Sequence, residues 1–213
     1  MATYVNNYGI LNRFKNYCSV SPKKDRNFHP IPFLGCGPGT GKSRFLQEVG
    51  NIIREKAQSS NDDNIKSILG EAIFLNVTYG NRSAISDFDV DIDAEASLAL
   101  RILYIYFLHN HMDYLKFRNI VGKNAKQLTL YLALYTIYKN KCEDGGNRAI
   151  IVGIDEINKL HEKVFRDLVT CIGSMSCNSM IFSVPILAGT IEGPLQSVIM
   201  SFRIKLFSYH CNY

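Results

Sequence analysis

Cys36-Gly37-Pro38-Gly39-Thr40-Gly41-Lys42-Ser43 lies between a short apolar run and an amphipathic pattern of helical period, and that placement decides the fold. The pattern G-x-x-x-x-G-K-[ST] marks a glycine-rich turn that leads from a strand into a helix and wraps phosphate. Here Cys36 holds the place of the first motif glycine, with Gly35 immediately before it. The glycines let backbone N–H groups turn inward, and the helix start adds the positive end of its dipole. Gly37, Pro38, Gly39, Thr40, Gly41, Lys42 and Ser43 are therefore the expected triphosphate cradle. Lys42 reaches the β- and γ-phosphates and Ser43 ligates magnesium in this reading.

Upstream of the loop, His29 to Leu34 (HPIPFL) is bounded by prolines and glycines, as expected for a buried strand entering a turn. Downstream, Phe45, Leu46, Val49, Ile52 and Ile53 fall on one helical face while Arg44, Glu48 and Arg54 fall on the other. Further strands are expected at Ala72 to Val77, Ala149 to Ile154, Met180 to Leu187 and Arg203 to Phe207. Helices are expected near Ala94 to Leu108, Lys126 to Lys139 and Lys159 to Ile172. Ahead of all of these, Ile10, Leu11, Phe14, Tyr17 and Cys18 recur at helical spacing. Strands alternating with helices predict an α/β fold of three layers, αβα, around a mainly parallel sheet. The division is an N-terminal helical, basic extension over 1–28 and a P-loop NTPase domain over 29–213.

The run Ala149 to Ile154 (AIIVGI) is continuously apolar, as a strand buried on both faces must be, and it closes on Asp155 and Glu156. Downstream of a phosphate loop, two acids at a strand end have two jobs. Asp155 holds magnesium, and Glu156 orients and polarises the attacking water. The strand Met180 to Leu187 runs into Ala188-Gly189-Thr190, which puts a hydroxyl at the sheet edge where ligands bind in open α/β folds. Thr190 is thus a candidate sensor of γ-phosphate or water; a threonine capping the next turn would look the same. Asn158-Lys159 resembles part of a guanine-reading motif, but its aspartate is missing, so ATP is favoured over GTP.

The chain has 213 residues, of which 46% are apolar and 20% charged, values of a folded globular domain. The net charge of +5 is mild. Arg13, Lys15, Lys23, Lys24 and Arg26 face only Asp25, which makes either a solvated basic linker or a surface that meets nucleic acid or another polyanion. The six cysteines include no C-x-x-C pair and no histidine at zinc-finger spacing. The N-terminus does not read as a leader and no apolar stretch is long enough to span a bilayer, so an intracellular location, in cytoplasm or nucleus, is expected, with no membrane partner. Asp87, Asp89, Asp91 and Asp93 alternate as calcium ligands might be spaced, but without the required glycine and glutamate they read as a solvated acidic loop. His109, His111 and His161 are better explained by helix ends and packing than by metal.

Four stretches together, FLGCGPGTGKSRFL, ASLALRILYIYFLH, IIVGIDEINKL and VPILAGTIEGPLQS, resemble the P-loop NTPase module of the Crinkler and retrotransposon-hot-spot families. They run from Phe33 to Ser197. The first and third are shared with many ATPases; the helix around Arg101 and the AGT segment before Pro194-Leu195 are closer to these families. The resemblance implies an AAA-like sheet with an extra strand between the P-loop strand and the acidic strand, which fits the candidate at Ala72 to Val77. It also implies ATP hydrolysis. Proteins of these families often join the module to a header and a nuclease-like domain, neither of which is recognisable here, and some act as effectors in host nuclei. The sequence stops after the last expected strand, leaving no room for the C-terminal helical lid or the second sensor arginine of AAA-type enzymes. An activating arginine would then come from a second copy or a protein partner; Arg203 is a weak candidate within the chain. The other reading is a nucleotide-binding scaffold that holds ATP without efficient turnover.

Overall fold

The computed structural model describes residues 10–23, 29–142, 148–177, 180–190 and 205–207. Among these, eight helices and five strands follow one another. They are α1 (Ile10–Tyr17), β1 (Pro32–Gly35), α2 (Lys42–Gln58), α3 (Asp63–Gly70), β2 (Ile73–Thr78), α4 (Asp87–Asp91), α5 (Ala94–Phe107), α6 (Tyr114–Val121), α7 (Leu130–Lys141), β3 (Ile150–Asp155), α8 (Glu162–Ser176), β4 (Ser183–Gly189) and β5 (Lys205–Phe207).

The strands form one sheet in the order β2-β3-β4-β1-β5, every neighbouring pair parallel. Parallel neighbours need crossovers, and the helices that supply them cover both faces. Along β3 the side chains divide strictly. Ile150, Val152 and Ile154 face a core with Leu98 and Ile102 of α5, Leu134 and Ile137 of α7, and Phe165 and Leu168 of α8. Ile151 faces the opposite core with Phe45, Leu46, Val49 and Ile53 of α2, Ile65 and Leu69 of α3, and Ile10 and Phe14 of α1. The result is three layers, α1-α2-α3, the sheet, and α5-α7-α8. A satellite cluster of Ile92, Ala96, Leu100, Tyr104, Tyr114 and Ala125 seats α6 against the outer side of α5.

Several expectations need correction. The strand inserted between β1 and β3 is β4; the candidate at Ala72 to Val77 becomes β2 on the outer edge, paired only with β3. The acidic stretch is not a solvated loop. Asp87–Asp91 is a short helix capped by Ser86, and Asp89 is buried. Asp93 caps α5 by accepting from the Ala96 amide at 2.8 Å. Arg13 is likewise withdrawn from the basic N-terminal face: it is 1% exposed and its Nη2 donates to the Ser183 carbonyl at 2.5 Å. Lys24, Asp25, Arg26 and Arg203 lie outside the described residues. The helices α3 and α6 were not anticipated, and α7 and α8 start later than expected because the 3₁₀ turns Gly122–Gln127 and Ile157–Lys159 precede them. No helix among the described residues is long and apolar enough to cross a membrane.

Candidate functional site

A parallel sheet delivers the C-terminal ends of all its strands to one edge, and there the loops after β1, β3 and β4 meet. The loop after β1 needs left-handed backbone at two places: Gly39 has φ 73° and Gly41 φ 78°. Only glycine takes that conformation without cost. Gly41 is also the cap position of α2, and no side chain caps it. Thr40 Oγ1 donates to the Gly37 carbonyl at 2.8 Å and tightens the turn.

Lys42 is the first residue of α2, and its ammonium folds back over the loop. Nζ donates to the carbonyls of Cys36 at 2.9 Å and Gly37 at 2.6 Å, and lies 3.5 Å from Thr40 Oγ1. These bonds are to the loop itself and to neither acid. Ser43, one residue on, reaches the neighbouring acidic strand: its Oγ donates to Asp155 Oδ2 at 2.5 Å. The other carboxylate oxygen, Oδ1, accepts from the Glu156 amide at 2.8 Å. A hydroxyl and a carboxylate therefore share one point at the helix start, both oxygen donors of the kind hard divalent cations take. A second brace sets the angle of α2, since Asn76 Nδ2 on β2 donates to the Leu46 carbonyl at 2.9 Å.

Glu156 follows Asp155 with φ 56° and ψ 35°, a left-handed conformation that non-glycine residues seldom hold. Such outliers cluster where a side chain must be aimed. Its Oε2 accepts from Thr78 Oγ1 at 3.0 Å, and the same hydroxyl accepts from the Gly80 amide at 3.0 Å. The Glu156 carboxylate occupies the space beside Gly80, so that a Cβ there would stand 1.5 Å from Oε2 and would push the carboxylate aside. Thr190 closes β4's end, half-buried, and its amide donates to Asn158 Oδ1 at 3.2 Å. The side chain of Asn158 thus ties the turn after Glu156 to the end of β4.

The structure brings Ser43 and Asp155 into direct contact, with Lys42 and Glu156 each one residue away along the chain. It places Thr190 on the adjoining strand, where its amide bonds to Asn158 and not to the glycine loop. Sequence reasoning missed Thr78 and Gly80. Thr78 sits at a strand's C-terminal end as Thr190 does, so the same signal could have found it. Asn158 was noticed for the wrong reason, as a fragment of a base-reading motif. His109 and His111 are exposed at the end of α5, and His161 precedes α8 without a capping bond. Among the described residues no three His, Cys, Asp or Glu side chains gather as a metal cluster.

Crinkler effector protein 108 of Phytophthora sojae is similar to this chain: 24% identical over 183 residues, which cover 83% of this chain and 22% of that protein. The chain thus spans under a quarter of that relative's length. No protein-family model matches the chain. No solved structure matches it either.

Proposed function

We propose that the chain is a P-loop NTPase of AAA-like form that binds ATP with Mg2+ and hydrolyses it, coupling the reaction to conformational change or assembly. The observation that carries this reading is the 2.5 Å bond from Ser43 to Asp155 at the start of α2. It joins the hydroxyl of the glycine loop to the first acid of the adjoining β3–β4 layer at the ligand-binding edge of the sheet. The parallel sheet with β4 between β1 and β3 supports an AAA-like arrangement, although the strand expected in that place, Ala72 to Val77, lies at the edge. The likeness to a Crinkler effector, covering most of this chain, supports the same direction.

In this reading the backbone N–H groups of Gly37 and of Gly39 to Ser43, with the uncapped start of α2, receive the phosphates. Lys42 exchanges its two loop carbonyls for phosphate oxygens, which as anionic acceptors make the stronger bonds. Ser43 and Asp155, already in contact at the start of α2, would be the residues that hold the metal. When bound, magnesium would neutralise the charge that develops on the phosphate oxygens. Glu156 accepts a hydrogen bond from the attacking water and takes up its proton as the water oxygen bonds to the γ-phosphorus, while the bond from that phosphorus to the β,γ-bridging oxygen breaks and ADP leaves. Thr190 orients that water or a γ-phosphate oxygen.

One observation favours a second reading, a nucleotide-binding scaffold with little turnover: the Glu156 carboxylate is already engaged by Thr78. A phosphate-release assay on the wild type and Glu156→Gln separates the two. The enzyme reading expects the variant to bind nucleotide and release almost no phosphate. Equal background release from both proteins leaves the scaffold. An activating arginine, in the enzyme reading, comes from a second copy or a protein partner and adds about 10³- to 10⁵-fold in rate.

A further inference from the structure

Arg101 is 1% exposed, yet its guanidinium does not face the site. It lies between the rings of Tyr79 and Tyr114, 4.4 and 4.9 Å from their centres. Nη1 donates to Asp89 Oδ1 at 2.5 Å and to Ser97 Oγ at 2.7 Å, and Nη2 donates to the Ser83 carbonyl at 2.9 Å. A buried ion pair adds little net stability over apolar residues of the same volume. Its distinctive property is geometric, because a planar fork fixes two acceptors in two directions at once.

One of those acceptors leads to the acidic site. Ser83, held at its carbonyl by Arg101, donates its own Oγ to the Thr78 carbonyl at 2.8 Å. Its amide bonds to the Gly80 carbonyl at 3.1 Å, and the Ile85 amide returns to the Tyr79 carbonyl at 3.2 Å. The chain from Thr78 to Ile85 is thereby a closed loop. Its far side is pinned by Arg101, and on its near side Thr78 donates to the Glu156 carboxylate, which lies beside Gly80.

We propose that Arg101 is a positioning residue for Glu156, acting through Ser83 and Thr78, with Asp89 and Ser97 holding the guanidinium in register. The proposal rests on the reading of Glu156 as the water-polarising group. Arg101 touches neither nucleotide nor metal in that reading, so its loss displaces the carboxylate and leaves the phosphate cradle as it was.

The test uses the full chain with 13C at glutamate Cδ, the Glu156 signal being assigned by its loss in Glu156→Gln. Ser83→Ala removes one hydroxyl and keeps the carbonyl that Arg101 uses; Arg101→Lys keeps the charge and loses the fork. In both, the Glu156 signal should move while that of Glu162, exposed on α8, stays in place. Phosphate release at saturating ATP should fall about 10- to 100-fold, the scale of a misplaced catalytic group, with nucleotide Kd within about twofold of wild type. An unmoved Glu156 signal in folded Ser83→Ala overturns the proposal, as does a rise in turnover or an equal loss of affinity. Should the wild type release no phosphate at all, the enzyme reading fails separately, and the carboxylate signal still decides whether Arg101 sets the position of Glu156.

Discussion

Lys42 and Arg101 are two cations held by oxygen acceptors at the two ends of one idea. Lys42 is half-exposed, on a flexible four-carbon stem, bonded to carbonyls five and six residues away in the chain. Arg101 is sealed, bonded to a carboxylate twelve residues away and a carbonyl eighteen residues away, and stacked between two rings. The first arrangement can change partners at small cost, because solvent reaches it. The second cannot, because any lost partner leaves a charge stranded in a low-dielectric interior. Solvent access thus separates a cation suited to a ligand from one suited to a framework.

The sharpest way to break this contrast is Arg101→Met. It strands Asp89 and should cost about 3–5 kcal/mol in urea unfolding, whereas adding Asp89→Leu should recover most of the loss. If Arg101→Met unfolds no more easily than wild type, the buried pair is not the framework described. The same pair predicts an acid limb. Burial pushes the Asp89 carboxyl up, but the hydrogen bonds and charge of Arg101 and the Ser97 hydroxyl outweigh it, and the net is below the ordinary 3.8. A carboxyl depressed on folding stabilises fully above its unfolded value and loses that contribution as pH falls through the native one. The stability gap between wild type and Asp89→Asn should therefore be full above the unfolded value of 3.8 and narrow as pH falls below it.

Lys42→Ala should leave urea unfolding nearly unchanged and weaken nucleotide binding by about 1.5–3 kcal/mol, roughly 10- to 100-fold, read by fluorescent-nucleotide titration. A large stability loss with no change in affinity would reverse the roles assigned to the two cations. Gly39→Ala isolates backbone conformation, since a Cβ there meets nothing within 4 Å while φ is 73°. It should cost about 1–2 kcal/mol, and Gly39→Asn less, because asparagine tolerates the left-handed region. The smallest effect is expected at the exposed pair of Arg166 with Glu162, 2.8 Å apart on α8: Glu162→Ala should change stability by about 0.5 kcal/mol or less.

What could be read from the sequence follows the same divide. β3 was expected at Ala149 to Ile154 and lies at Ile150–Asp155, because an unbroken β-branched run has few alternatives to a doubly covered strand. The turn between β1 and α2 and the acids at the end of β3 were legible because the signals of a glycine turn and a strand end are local. α3 and α6 escaped although α1, equally short at eight residues, was expected from its spacing. Asp89 escaped for another reason. Alternation with exposed Asp87 and Asp91 made it look like one acid among several, and only the packing of α5 selects it as the partner of Arg101. The pairing of Thr78 with Glu156 joins positions 78 residues apart, which no local pattern encodes.

The sheet order carries a consequence for how the protein comes into being. β1 pairs with β4 and β5 and has no bond to β2 or β3, although those are the next strands to be made. A growing chain that has emerged as far as α8 already contains the glycine loop and both acids, but lacks the strand that aligns them. Ser183–Gly189 is the wedge that closes the sheet. Until it is translated, β1 has open edges on both sides, and α2 is tied to β2 and β3 by the Asn76 bond to the Leu46 carbonyl and by its packing on Ile151. The strand that joins β1 to β3 is thus made last of the three, although it carries neither the hydroxyl nor the carboxylate that meet beside it.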